Sequence, residues 1–142
     1  MKTLTIRVNT GSEKVVVDIT TDAASFVVGE GDGMLNIFVP HATAGVAIIE
    51  TGAGSDADLL DSIDRVLPAD EGLYRHRHGT SGHGADHVLP AWIAPSIVVP
   101  VIDGELTLGT WQSIVLVDPN RDNPVRTVRF SMLRSSDSSV LP

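Results

Sequence analysis

The chain has 142 residues, of which 42% are hydrophobic and 20% are charged. That length predicts a single domain large enough to bury a hydrophobic core. The 18 acidic residues outnumber the 10 basic ones, and only 4% of the residues are aromatic. A nucleic-acid partner is therefore not expected, because it would need clustered lysine and arginine or an aromatic stacking platform. The absence of cysteine excludes disulfides and thiolate metal ligands.

The sequence carries no signal for export or membrane insertion. No apolar run approaches the roughly 20 residues that a membrane-spanning helix needs. The N-terminal segment alternates polar and apolar residues, whereas a secretory signal has an uninterrupted apolar stretch. Together with the missing cysteine, these patterns predict a cytoplasmic protein without a membrane partner.

Hydrophobic periodicity predicts four strands and two helices in the N-terminal half. The strands are Thr3–Val8, Lys14–Ile19, Met34–Val39 and Thr43–Ile49. A short helix is predicted over Thr21–Val28 and a longer one over Asp56–Leu67. Ser55 is expected to cap the longer helix, and Pro68 is expected to end it.

The C-terminal half predicts one short helix and four more strands. The helix, Asp86–Ala94, is limited to a turn or two by Pro90. The strands are Ser96–Val101, Glu105–Leu108, Gln112–Val117 and Val125–Met132. The whole pattern predicts an α+β fold of mostly antiparallel, β-sandwich-like sheets with two or three short helices. Residues 1–133 are expected to form the single domain, and residues 134–142 a flexible tail.

Four of the five histidines lie in the polar, glycine-rich segment Leu73–His87. His76 and His78 have strand spacing, whereas His83 and His87 have the i, i+4 spacing of paired metal ligands on a helix. Neutral imidazole is a common ligand of zinc-like ions, and without cysteine only histidines and carboxylates remain as ligands. The alternative is a solvent-exposed loop that is rich in histidine and binds no metal.

Two residues at the strand Thr43–Ile49 are further candidates. His41 lies at the bend before this strand, where its neighbours would hold it as a ligand. Glu50 closes the strand and is a candidate general base or hydrogen-bond partner of a ligand. Each also has a structural explanation, in which His41 caps a strand end and Glu50 marks the exit to solvent.

The segment Gly109–Gln112 interrupts a predicted β-hairpin. Gly109 permits a bulge, and Trp111 offers a flat apolar wall with an N–H donor. Gln112 can donate or accept a hydrogen bond. This combination is typical of a pocket rim, but packing in the core would explain Trp111 equally well.

Several motifs, read in order along the chain, resemble the YjbQ family, which is named for a secondary thiamine-phosphate synthase activity. The motifs are His41-Ala42-Thr43-Ala44-Gly45-Val46, Glu50, Tyr74-Arg75-His76, His87 and Asp103-Gly104-Glu105-Leu106-Thr107-Leu108-Gly109-Thr110-Trp111-Gln112. The chain departs from the family pattern at Ala42, which replaces a threonine, and at Ile49, which replaces an asparagine. His78 and His83 are additional to the pattern.

The resemblance implies a homotrimer with a three-histidine site for a divalent, zinc-like metal ion. The metal ligands that it selects are His41, His76 and His87. The catalytic residues that it implies are Glu50, Trp111 and Gln112, and the substrate-binding residues are Thr43, Arg75 and Trp111.

The implied activity joins a pyrimidine diphosphate to a thiazole phosphate and releases pyrophosphate. A metal ion favours such a reaction by neutralising the leaving diphosphate. The alternatives are metal-dependent hydrolysis of a small phosphorylated substrate and a non-catalytic trimeric protein that binds a metal or a ligand. An open coordination shell favours catalysis, whereas a shell closed by His78 or His83 favours a structural metal.

Overall fold

The computed structural model describes residues 1–119 and 122–135. Most of the predicted tail, residues 136–142, lies outside the described residues. The strands are β1 Lys2–Asn9, β2 Val15–Asp18, β3 Gly33–Phe38, β4 Gly45–Ile49, β5 Ser96–Ile102, β6 Glu105–Leu106, β7 Ser113–Asp118 and β8 Val125–Arg134. The α-helices are α1 Thr20–Val27, α2 Ser55–Val66 and α3 His83–Asp86.

The strands form two antiparallel sheets. The larger sheet has five strands in the order β1-β8-β3-β5-β6, and the smaller has three in the order β2-β7-β4. Side chains of both sheets and of α1 meet in one hydrophobic core between the sheets. Helix α2 and the segment around α3 cover the other face of the three-stranded sheet and form a second core. The predicted α+β, sandwich-like fold is confirmed.

Strand β7 is the centre of this arrangement, because both of its faces are covered. Ile114 and Leu116 point into the core between the sheets, and Val115 and Val117 point into the core under α2. All four side chains are 0% exposed. A strand buried on both faces needs a continuous apolar run, which explains the sequence Ile114-Val115-Leu116-Val117.

Two predicted helix boundaries are wrong. Of the predicted helix Asp86–Ala94, only Asp86 belongs to α3, which begins earlier at His83, and a separate 3₁₀ turn covers Leu89–Ala91. The ring of Pro90, which has no N–H, prevents a continuous helix there. Helix α2 is capped by Gly54 in a left-handed conformation with φ of 99°, so that Ser55 is the first helical residue and its side chain makes no capping bond.

Candidate site residues lie at both ends of the three-stranded sheet. Gly45 of β4 lies opposite Val117 of β7, and Ile49 lies opposite Ser113. We call the end at Val117 and Asp118 the histidine end, and the end at Ser113 the tryptophan end. At about 3.3 Å per residue the strands separate the two ends by roughly 15 Å. None of the helices in the described residues is long and apolar enough to cross a membrane.

Candidate metal centre

The histidine-rich segment is folded back on itself by Arg77. Its Nη1 donates hydrogen bonds to the carbonyl oxygens of Glu71 at 3.1 Å, of His76 at 3.2 Å, and of Tyr74. Tyr74 in turn packs against the core under α2. The guanidinium of Arg77 thus organises the backbone of the segment.

Glycines allow α3 to pack tightly against this segment. Gly82 precedes the helix with a φ of +82°, which favours glycine. A Cβ at Gly84 would lie only 2.6 Å from Cβ of Tyr74. The close approach of α3 to Tyr74 brings His83 and His87 beside His76.

Four imidazole rings therefore form one cluster. The ring centroids of His76 lie 4.0 Å from His78, 5.4 Å from His83 and 4.2 Å from His87. His83 and His87 are 4.5 Å apart by the same measure, and their Nε2 atoms are 2.8 Å apart. One nitrogen from each of His76, His83 and His87 can be chosen so that the three atoms all lie within 4.8 Å of one another.

The cluster favours neutral rings. Burial lowers the pKa of His76 below its usual value, and the neighbouring His78 and His83 add to this effect. Burial also lowers the pKa of His87, with further contributions from His76, His83 and His78. A neutral imidazole retains the lone pair that a metal ion requires.

The donor set fits a zinc-like ion. Ligand nitrogens of a tetrahedral zinc site lie about 3.3 Å apart, because each bond measures about 2.0–2.1 Å. The three nitrogens here all lie within 4.8 Å of one another. In addition, Nδ1 of His76 is buried without a hydrogen-bond partner among the described residues. Buried polar atoms are normally satisfied, so that an unpartnered imidazole nitrogen inside a histidine cluster is consistent with a metal-binding position.

His41 lies at the same end of the sheet but does not belong to this group. Its Nε2 accepts a hydrogen bond of 2.8 Å from the backbone N–H of Thr127. A neutral ring in this arrangement carries its proton on Nδ1 and presents a donor there. Burial, followed by the charge of Arg126, lowers the pKa of His41, against an opposing effect of Asp118. Within one chain, the structure thus brings together His76 and His87 of the predicted ligands, with His83 in place of His41.

A buried ion pair lies next to His41. The guanidinium of Arg126 is paired with both carboxylate oxygens of Asp118, each at 2.7 Å, and these residues are 2% and 0% exposed. Arg126 also donates to Oγ1 of Thr43 at 3.0 Å. Thr43 is itself only 7% exposed. Its hydroxyl thus accepts a hydrogen bond from Arg126 and is shielded from solvent. A substrate-binding role, which the resemblance implies for Thr43, would need this hydroxyl to be accessible.

The three predicted catalytic residues lie at the tryptophan end, away from the histidine cluster. Glu50 follows β4, and Trp111 and Gln112 precede β7, all with exposed side chains. Trp111 is 74% exposed, which rules out the core-packing explanation within the chain. The Oε1 of Gln112 accepts the N–H of Gly109 at 2.7 Å. Arg75, in contrast, is exposed beside His76 at the histidine end.

Sequence reasoning missed several residues at the histidine end. The i, i+4 spacing of His83 and His87 indicated that the two rings lie together, as the structure shows. The family resemblance did not select His83 as a ligand. The pairing of Arg126 with Asp118 had no comparable signal, because the two residues lie on strands of different sheets and meet only through the packing of those sheets.

The comparisons with known proteins agree with this fold. A family model described as "UPF0047 protein YjbQ-like" matches residues 4–135. The chain belongs to the YjbQ family. A UPF0047 protein of Mycobacterium tuberculosis is 58% identical over 133 residues, which cover 94% of this chain and 98% of that protein. A UPF0047 protein of Mycobacterium bovis is 62% identical over 118 residues, covering 83% and 91% respectively.

Solved structures of YjbQ-like proteins show the same fold. The crystal structure of a hypothetical protein from Aeropyrum pernix has a TM-score of 0.83 at 31% identity, covering 95% of this chain and all 100% of that one. A YjbQ-like protein of unknown function from Sulfolobus solfataricus has a TM-score of 0.82 at 26% identity, covering 94% and 97%. These likenesses extend across the whole domain of the YjbQ-family chain.

Proposed function

We propose that this YjbQ-family protein binds a zinc-like divalent ion through His76, His83 and His87. The observation that carries the proposal is the convergence of one nitrogen from each of three imidazoles within 4.8 Å. Nδ1 of His76 is also buried without a hydrogen-bond partner among the described residues. His78 is exposed, and its ring centroid lies 4.0 Å from that of His76. Three protein ligands leave a fourth coordination position open, which favours a functional ion over a purely structural one.

We propose that the site acts on a small phosphorylated molecule. A bound ion of this kind polarises a phosphoryl oxygen and neutralises its charge. The chain itself supplies Arg75, whose exposed guanidinium is adjacent to His76 in sequence and can form paired hydrogen bonds to a phosphate. The thiamine-phosphate synthase reaction is the first candidate, and hydrolysis of a phosphoester is the second.

The synthase proposal requires more than one chain. Glu50, Trp111 and Gln112 lie at the end of the sheet opposite to the histidine cluster, so that one chain does not assemble both sets. A head-to-tail ring of chains joins one end of each molecule to the other end of its neighbour. The proposed homotrimer would do this, and the outer face of the large sheet offers an apolar surface for it. Met34, Val98 and Leu133 on that face are 48%, 56% and 56% exposed.

Metal analysis of single-alanine variants tests the ligand set. We expect one ion per chain in the wild type and its loss in His76→Ala, His83→Ala and His87→Ala. His41→Ala is the matched control at the same end of the sheet, and it should retain the ion. Absence of the ion from the wild type after loading with zinc would overturn the proposal. Retention of the ion in His83→Ala together with its loss in His41→Ala, His76→Ala and His87→Ala would replace His83 by His41 as the third ligand.

Turnover and mass measurements test the finer proposals. The metal-loaded protein should convert the two thiamine precursors, and a phosphoester assay tests hydrolysis in parallel. We expect a species of three times the 15.0 kDa chain mass in sedimentation, and its dissociation in Val98→Glu. A metal-loaded trimer that turns over neither class of substrate would leave the binding function and exclude the enzymatic one.

A further inference from the structure

A carboxylate from a distant loop contacts the back of the histidine cluster. Oδ2 of Asp122, in the connection between β7 and β8, lies 3.1 Å from Nδ1 of His83. The opposite ring nitrogen of His83, Nε2, faces His87. His83 is therefore held between a carboxylate on one side and the proposed metal position on the other.

Asp122 is itself held in place by Thr80. Its carboxylate accepts the backbone N–H of Thr80 at 3.3 Å and also the hydroxyl of Thr80. These hydrogen bonds lower the pKa of Asp122, and His83 adds to the effect. Gly79 makes the close approach possible, because a Cβ there would lie 2.8 Å from Cδ2 of His83 and 3.2 Å from the Asp122 carboxylate.

We propose that Asp122 is a positioning residue, which keeps the proton of His83 on Nδ1 and so presents the lone pair of Nε2 to the metal. This inference rests on the proposed metal site and adds to it a residue that contacts no metal. A carboxylate that accepts from the second nitrogen of a ligating histidine fixes the tautomer and the orientation of the ring. Among the described residues, the carboxylate of Asp86 also approaches this nitrogen, but its Oδ2 lies 3.7 Å away, beyond hydrogen-bonding distance.

Asp122→Asn is the direct test, since it keeps the size of the side chain and removes its charge. An amide can donate to Nδ1, which would move the ring proton to Nε2 and block ligation. We expect the affinity for Zn²⁺ or Co²⁺ to fall by about 10- to 100-fold, with an altered Co²⁺ absorption spectrum. Asp86→Asn is the matched control and should keep nearly the wild-type affinity. Asp122→Glu should recover part of the loss.

A second measurement needs no metal. In the metal-free protein, the ¹⁵N shifts of His83 should report a proton on Nδ1 in the wild type and a shift toward Nε2 in Asp122→Asn. If the wild type binds metal but Asp122→Asn keeps both its affinity and its tautomer, the positioning role is wrong and the metal site stands. If the wild type binds no metal, the proposed metal site is wrong. The ¹⁵N measurement of the His83 tautomer then still tests the contact between Asp122 and His83. Should Asp122→Asn not fold, Thr80→Val loosens the same carboxylate and is expected to weaken metal binding in the same direction.

Discussion

The polar residues at the two ends of the three-stranded sheet differ in burial and in hydrogen bonding. At the histidine end, Arg126 and Asp118 are almost completely buried and bonded to each other, and His41 is bonded to the backbone of β8. At the tryptophan end, Glu50, Trp111 and Gln112 are exposed. The histidine-rich segment lies at one end, where Asp122 contacts His83, whereas the short segment before β7 forms the other end.

This contrast separates a preorganised region from one that is available to a partner. Polar groups that are fixed by several bonds keep their geometry without a ligand, and such rigidity is what a metal site or a catalytic site requires. At the tryptophan end, the side chains are exposed, and among the described residues the Gln112 side chain is held by a single hydrogen bond from the N–H of Gly109. We therefore expect substitutions at the histidine end to change stability and metal binding, and those at the tryptophan end to change only assembly or turnover.

The largest expected effect is the loss of the buried ion pair. Arg126→Met leaves the carboxylate of Asp118 buried without its partner, and we expect the free energy of unfolding to fall by about 3–5 kcal/mol. Urea denaturation at neutral pH measures this loss. The double variant Arg126→Met/Asp118→Leu should recover much of it, because no isolated charge remains. A fall of less than about 1 kcal/mol, the value of an exposed pair, would contradict the assigned burial.

A pair of glycine substitutions sharpens the comparison. Gly84→Ala places a methyl group against Tyr74 at the histidine end, and we expect a loss of about 1–3 kcal/mol from overpacking. At the tryptophan end, the nearest atom to a Cβ at Gly109 is Oε1 of Gln112 at 3.3 Å, the end of a flexible side chain. Gly109→Ala should therefore have a much smaller effect in the same denaturation experiment. Equal losses at the two sites would remove the distinction in packing.

Lowering the pH should reduce the stability of the metal-free protein, because histidines at the histidine end become protonated. The pKa values of His41, His76 and His87 are lowered in the folded chain. As the pH falls below about 6.5, these histidines take up protons in the unfolded chain before they do so in the folded chain. The free energy of unfolding therefore decreases as the pH falls from about 6.5 toward the lowered pKa values of the folded chain. We expect Tm in EDTA to fall between about pH 7.5 and pH 5.5. The double variant His76→Gln/His87→Gln should show a smaller change of Tm with pH. A Tm that rises on acidification would contradict the prediction.

The smallest expected effect on stability is that of Trp111→Ala. Because this side chain is 74% exposed, its removal should change the free energy of unfolding by less than about 0.5 kcal/mol. Metal content should stay at the wild-type level, while turnover of a phosphorylated substrate should fall if the tryptophan end completes the site. Loss of the metal in this variant would show that the two ends are coupled within one chain.

The sequence by itself determined the strands, the main helices and most of the histidine cluster. The strands could be predicted because each core-facing position must be apolar, and β7 has an unbroken apolar run because both of its faces are buried. His76 and His87 could be identified from the motifs, and His83 from its spacing to His87. All of these signals are local, since they arise from neighbouring residues on one strand, one loop or one helix.

Only the tertiary structure decided which polar groups meet. His41 was expected to be a metal ligand, but the register of β8 places the N–H of Thr127 against its Nε2. The packing of the two sheets likewise brings Arg126 to Asp118 and Thr43, and the chain after β7 brings Asp122 to His83. A hydrogen bond between distant residues depends on the position of each strand to within an ångström or so, and local patterns of hydrophobicity do not specify a position that accurately.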